Sequence, residues 1–437
     1  MQDDMRETRL AYILANMSDV VCITRKNGTV LHVNNSAGKL FGLTDYTDMK
    51  IWDVIRFTET NDNLIQLFLD AVTQGRDISS LVEYEANDGK VFNLHVNMTY
   101  MDEGNGIFVM VARDLTELVR VNSAFERYTS PDIAKYVLTS PEGAKQGGQT
   151  RDVTIMMSDL RGFTAMSTKL HPDTLITVLN HYFEAMVAVI SHYKGTVLEF
   201  LGDGIFVVFG APIDDENHAE NAVACAVEMQ NAMKSVNEWN AEHSYPELEM
   251  GIGINTGPAV VGNIGSADKM KYGCMGETVN LAGRVETFTV GGQVYISERT
   301  KAQIASELTI SAEQSFMPKG AAMPMRIYAV EGIGEVHMKH VDYVMRETVR
   351  KPAVTFFKVE GKNVAGEGHT CIVESVSSDE RYAVIESDAH VDAMQNIVIN
   401  TGGGLLYAKA ESVSGRQITI CFTSKPDNFP VWLKSLF

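Results

Sequence analysis

Hydrophobic and polar positions change their period several times along the chain, and each change marks a different kind of element. From about residue 8 to 114, apolar runs such as VVCITR, GTVLHVN, VFNLHVNMTY and GIFVMVARD alternate with the turns KNG, NDG and DEGNG and with short helical stretches. This predicts a small α+β domain around an antiparallel sheet. Leu118, Val121, Phe125 and Tyr128 then follow a 3-4-3 spacing, the stripe of one helix face. It spans little more than one heptad, so an ordinary amphipathic helix describes it better than a parallel dimer seam. The polar, Gly-containing segment SPEGAKQGGQT at 140–150 closes this linker.

From about 151 to 335 the pattern alternates between strand and helix. A strand (VTIMMS) leads to a helix with Pro172 near its start, Leu175, Leu179, Tyr182, Met186, Ile190 and Tyr193 on one face, and Gly195 past its end. A hairpin follows at 196–210, then a second helix through roughly 216–242, whose Cys225 and methionines read as core. Two further strands are expected around a turn at INTGPAVVG. This βαββαβ order implies a ferredoxin-like sheet with helices on one face. Beyond VEGIGEVHMKHVDYV, the runs TCIVESVS, RYAVIES, NIVINT, LLYAKAESVS and RQITICFTS predict a small β-barrel or sandwich. The expected layout is thus an α+β protein: a small α+β domain at 1–114, a helical linker at 115–150, the ferredoxin-like domain at 151–335 and a small β-rich domain at 340–437.

Composition narrows the function classes. A chain of 437 residues has room for about three domains, each able to bury a core. A net charge of −19 argues against a protein built to coat nucleic acid or an anionic membrane. Cys22, Cys225, Cys274, Cys371 and Cys421 show no ligand or redox spacing, so reduced thiols are expected. No apolar run is read as approaching the ~20 residues of a membrane helix, and MQDDMRETRL lacks the order of a signal peptide. The expectation is a soluble cytoplasmic protein without nucleic-acid or membrane partners.

Two aspartates carry the first chemical signal. MSDLRGFT places Asp159 at a strand end, and LEFLGDGIFVVFG places Asp203 in a tight Gly-Asp-Gly turn returning to the same sheet edge. Two hard oxygen ligands at one point suit Mg²⁺, which takes one or two protein carboxylates and keeps positions for water and phosphate.

Six motifs extend this reading: RYTSPDIAKYV, VTIMMSDLRGFTAMS, LEFLGDGIFVVFGAP, GIGINTGPAVVGNIGS, GETVNLAGRVE and MPKG. In joint order and spacing they resemble a class III nucleotidyl cyclase catalytic domain, from about Tyr128 to Gly332. The resemblance implies two Mg²⁺ or Mn²⁺ ions per site, held by Asp159, Asp203 and the Leu160 backbone carbonyl, for attack by the ribose 3′-hydroxyl and departure of pyrophosphate. Gly162, Phe163 and Thr164 enter a helix whose N–H groups can cradle phosphate. Asn280 and Arg284, four apart on a helix face, would orient the ribose and meet charge growing on the α-phosphate. Lys319 would add a cation to the β- and γ-phosphates.

The same resemblance singles out the base. Adenylyl members carry lysine four residues before the second metal aspartate; here that position is Glu199. A carboxylate accepts both N1–H and N2–H₂ of guanine but repels the adenine N1 lone pair, so Glu199 favours GTP. The second base position is Gly273, which has no side chain for guanine O6 and leaves that contact to a backbone N–H, water or a neighbour. In this family each site combines the metal carboxylates of one protomer with the base, ribose and lysine groups of the other, which implies a homodimer with interfacial active sites.

The flanking domains also resemble known families. The run VVCITRKNGTVLHVNNSAGKLFG with the closing GIFVMVARDLTELV is similar to a PAS sensor domain. His32 and His95 are read as ordinary strand histidines, and its ligand stays unassigned. Arg346 and Arg350 stand in R-x-x-x-R spacing before the last domain, whose strand order resembles a PilZ domain. There paired arginines bind cyclic di-GMP; the nearest counterpart of that family's second motif is Ser375, Ser377 and Glu380. The combined expectation is a sensor-regulated guanylate cyclase. The alternatives are an adenylate cyclase with an atypical purine pocket and an inactive cyclase-like nucleotide-binding module.

Overall fold

The computed structural model describes residues 2–437 apart from 44–45, 47, 103–105, 318–323, 340–343, 350–351, 361–362 and 427. It divides into two compact units, Met1–Tyr128 and Thr129–Phe437. In the first, β1 (Val20–Arg25), β2 (Val30–Val33), β3 (Ile78–Glu85), β4 (Val91–Met101) and β5 (Ile107–Asp114) form an antiparallel sheet in the order β2-β1-β5-β4-β3. The helix Asp62–Gln74 repeats apolar residues at helical spacing and buries Leu64, Leu67, Phe68 and Ala71 in a core shared with Tyr84, Val96 and Phe108. The helix Thr116–Thr129 buries none of its residues, and its Leu118, Val121 and Tyr128 are exposed.

The second unit contains a nine-stranded sheet: β6 (Gly147–Leu160), β7 (Thr196–Leu201), β8 (Gly204–Phe209), β9 (Met250–Gly265), β10 (Met270–Met275), β11 (Val294–Ser297), β12 (Leu308–Phe316), β13 (Met325–Ile333) and β14 (Val336–His337). Its order is β12-β13-β11-β9-β6-β8-β7, with β10 on β9 and β14 on β13. The segment β9-β6-β8-β7, with the helices Pro172–His192 and His218–Glu242, is the expected ferredoxin-like βαββαβ arrangement.

Two expectations are corrected. INTGPAVVG makes no turn; it lies inside β9, which pairs with β6 without interruption from Leu160↔Met250 to Gly147↔Asn263. On its other side β9 pairs with β11 only through Ile254 and with β10 only from Val260, so Pro258 falls where no second neighbour needs its missing N–H. Gly257 takes φ 156, which glycine tolerates, so the strand accommodates the Gly-Pro pair without ending. Second, the helix Pro172–His192 is long and apolar enough to cross a membrane by length and composition. Here Val178, Tyr182, Met186 and Ile190 instead fill the domain core together with the helix His218–Glu242.

The C-terminal domain comprises β15 (Met345–Glu347), β16 (Ala353–Glu360), β17 (Asn363–Ser377), β18 (Tyr382–Glu386), β19 (Asn396–Asn400), β20 (Leu405–Ser414) and β21 (Gln417–Ser424). Strands β17-β16-β19-β20-β21-β18 close through a β17–β18 pairing into a six-stranded barrel, with β15 added to β17. The final helix, Phe429–Leu436, buries Phe429, Trp432, Leu433 and Leu436 in the barrel core. All five cysteines are free and buried, and burial pushes the thiols of Cys22, Cys274 and Cys371 up to about 12.

Candidate active site

Pairing of β6 with β8, from Thr154↔Phe209 to Ser158↔Ile205, carries the β7–β8 turn to the end of β6. A Cβ at Gly204 would stand 2.7 Å from the Ser158 carbonyl, so the close approach of hairpin to strand depends on glycine. Asp159 and Asp203 meet there within hydrogen-bonding reach, and Asp203 Oδ2 accepts from the Leu160 N–H at 3.2 Å. Burial raises both pKa values; the Asp159 charge raises that of Asp203 further, while the Arg161 guanidinium, 3.9 Å from Asp159 Oδ2, works against the rise in Asp159.

Two half-buried like charges at one point form a donor set suited to a hard divalent cation. Among the described residues no group of three or more His, Cys, Asp or Glu side chains has metal-holding placement, so this site would leave positions for water and phosphate. Gly162, with φ 69, caps the five-residue helix Phe163–Ser167 that contains Thr164.

Arg161, at the start of this loop, is held within the domain by both its side chain and its backbone. Its side chain folds inward to an ion pair with Glu286, and its Nη2 donates to Thr289 Oγ1 at 3.0 Å. Its backbone N–H donates to the Glu249 carbonyl at 2.7 Å.

Glu199 lies on β7 beside a register shift between Val197 and Glu199. Its half-exposed carboxylate is 2.6 Å from Lys271 Nζ. Lys271 was not anticipated, although it stands two residues before Gly273 on β10 and therefore on the same face by strand alternation. Asn280 is exposed and Arg284 half-buried on the helix Glu277–Thr287.

Lys319 and Arg350 lie outside the described residues. Arg346, on β15, stands over the Phe437 ring at 5.3 Å. Ser377 is buried, and its Oγ accepts from the Arg381 and Tyr382 N–H groups at 3.1 and 2.8 Å, capping the turn in which Glu380 has φ 60. Ser375 is 9% exposed on β17. That oxygen of Ser377 is therefore engaged in holding the turn.

Residues 146–332 match the adenylate and guanylate cyclase catalytic domain family, and residues 18–117 match the PAS domain family. The solved guanylyl cyclase Cya2 is 46% identical, covering 44% of this chain and 100% of that one, with a TM-score of 0.43. The adenylyl cyclase CyaB of P. aeruginosa is 32% identical over 43% of this chain and 98% of that one, with a TM-score of 0.41. Adenylate cyclase 1 of Rhizobium meliloti (strain 1021) is 28% identical over 235 residues, 51% of this chain. The chain spans little more than a third of the length of the curated relatives it matches, 35% and 38% for two of them. The chain belongs to the class III nucleotidyl cyclase family and carries a PAS domain ahead of its catalytic domain.

Proposed function

We propose that the chain is a guanylate cyclase, converting GTP to cyclic GMP and pyrophosphate in a homodimer under the influence of its PAS domain. The observation that carries the choice of base is Glu199 at the base-reading position with Lys271 beside it. The carboxylate would accept from guanine N1–H and N2–H₂, and the ammonium would donate to O6, supplying what Gly273 lacks.

Asp159, Asp203 and the Leu160 carbonyl would hold divalent cations, Mg²⁺ or Mn²⁺. These supply charge neutralisation on the triphosphate and a lowered pKa for the ribose hydroxyl. The 3′-oxygen would give up its proton to water and bond to the α-phosphorus while the bond from that phosphorus to the bridging oxygen breaks, and pyrophosphate would leave with that oxygen. Gly162, Phe163 and Thr164 would hold phosphate oxygens through backbone N–H groups, and Lys319 would pair with the β- and γ-phosphates. From the partner protomer, Asn280 would orient the ribose and Arg284 would meet the charge growing on the α-phosphate. The exposed stripe Leu118, Val121 and Tyr128 supports a role for the linker helix in pairing the protomers.

An adenylate cyclase is the second reading, because the same ion pair can serve adenine with its roles exchanged: Lys271 donating to N1 and Glu199 accepting from N6–H₂. Assay of the purified full chain with GTP or ATP, and with Mg²⁺ or Mn²⁺, separates the readings. Robust cyclic AMP with negligible cyclic GMP would overturn the guanylate assignment, and either product excludes an inactive binding module. For the barrel, cyclic di-GMP at Arg346 and Arg350 is proposed on the arginine spacing alone; calorimetry of the full chain showing no heat at high ligand concentration removes it.

A further inference from the structure

The C-terminal barrel packs against the catalytic domain, and its contacts meet the end of the helix Glu277–Thr287 and the loop that follows Asp159. Lys409, on β20, is 4% exposed, and its Nζ donates to the carbonyls of Thr287 at 2.9 Å and Phe288 at 2.8 Å. These are the last residue and the C-cap of the helix Glu277–Thr287. A lysine there satisfies carbonyls that the helix itself leaves without partners and complements the negative end of its dipole.

Arg284 lies in that same last turn, and Glu286 in it pairs with Arg161 of the metal loop. Three further contacts fix the barrel nearby. Gln293 Nε2 donates to Glu411 Oε1 at 2.6 Å, and Arg381 Nε lies 3.3 Å from the half-buried carboxylate of Glu249, whose carbonyl receives the Arg161 N–H. The Thr423 carbonyl on β21 would be 3.6 Å from a Cβ at Gly162.

We propose that Lys409 of the C-terminal barrel is a positioning residue for the cyclase reaction, holding the end of the helix that carries Arg284 and, through Glu286, the Arg161 side chain behind the metal loop. The barrel is then a working part of the catalytic unit, and any ligand or partner that lifts β20 away lowers turnover. The effect falls on kcat, because Arg284 acts on charge that develops only in the transition state, while the nucleotide in its ground state is held elsewhere.

The inference rests on the cyclase reading above, and the experiment separates the two. Full-length wild type, Lys409→Met and Lys409→Arg are compared for kcat and KM with the preferred nucleotide. A wild type that makes no cyclic nucleotide defeats the cyclase reading. With an active wild type, Lys409→Met should lose about tenfold or more in kcat with KM within about twofold, and Lys409→Arg should recover most of the loss. A Lys409→Met enzyme that keeps kcat within about twofold overturns the proposal.

If Lys409→Met does not fold, the pH profile decides. Lys409 is faced by Arg161 and Glu286 of the catalytic domain and by Glu411 and Cys421 of the barrel, and burial brings its pKa down to about 8. Wild-type kcat should fall as the pH passes about 8, while Lys409→Arg keeps its charge and shows no such limb. Superimposable profiles overturn the proposal.

Discussion

A buried lysine leaves a thermodynamic signature that can be measured apart from activity. Lys409 titrates near 8 in the folded protein against 10.5 unperturbed, with burial as the main cause and the Arg161 charge second. The folded chain therefore gives up this proton more readily than the unfolded chain. Below pH 8 both states are protonated, and holding the charge inside costs about 3 kcal/mol; between pH 8 and 10.5 the cost disappears as the folded state binds fewer protons. In Lys409→Met that pH-dependent part is absent, while the lost bonds to Thr287 and Phe288 add only a pH-independent offset. Stability of wild type minus Lys409→Met should thus rise by about 2.5 kcal/mol from pH 7 to pH 10. The assay is equilibrium urea unfolding in a Trp52→Phe background, so that fluorescence reports Trp239 and Trp432 of the second unit. Taking the difference cancels the titration of the buried thiols and tyrosines common to both proteins. A difference that stays flat across this window, with equal m-values, would refute the assignment of a charged, buried Lys409.

Other outcomes follow from the same geometry. Asp159→Ala and Arg284→Ala homodimers should each be inactive, and mixed protomers should regain about one working site per heterodimer; two folded, co-dimerising variants that fail to complement would exclude the interfacial site. Lys271→Ala should reduce kcat/KM for GTP by about tenfold or more, the cost of a charge-assisted hydrogen bond, with unchanged kinetics counting against base contact. Glu199→Lys should suppress cyclic GMP formation by about a hundredfold, read by product chromatography with both nucleotides. Gly253→Ala places a Cβ 2.1 Å from the Glu286 nitrogen and 2.5 Å from its Cα, so the catalytic helix must lift from the sheet. A loss of about 2 kcal/mol or more in urea unfolding is expected, accompanied by a fall in kcat.

What could be read from the chain beforehand was local. The Gly-Asp-Gly turn, the Pro172 helix start and the strand-to-turn transition at Asp159 each signal themselves within a few residues, and together they yield the βαββαβ order. INTGPAVVG misled because Gly-Pro marks a turn unless the strand has one free side at that point, and that depends on where β10 and β11 end. Closure of the barrel required the β17–β18 pairing, which no alternation pattern within either strand encodes. The contacts of Arg161 with Glu286 and of Lys409 with Thr287 join residues more than a hundred positions apart. Each residue taken alone reads as an ordinary surface cation; Arg161 is drawn in by the packing of the helix Glu277–Thr287 and Lys409 by that of the barrel on the catalytic domain.

The burial of every cysteine has a practical consequence. Thiols buried in every domain, with their pKa values driven upward, offer almost no thiolate to a water-borne reagent. The native chain is thus already silent toward maleimide and methanethiosulfonate probes, and a single cysteine installed at exposed Leu118 or Tyr128 becomes a unique attachment point without prior removal of the other five. Spin labels placed there would report the separation of the two linker helices in the homodimer proposed above, with the five native cysteines left in place, and would follow it as candidate signals are added.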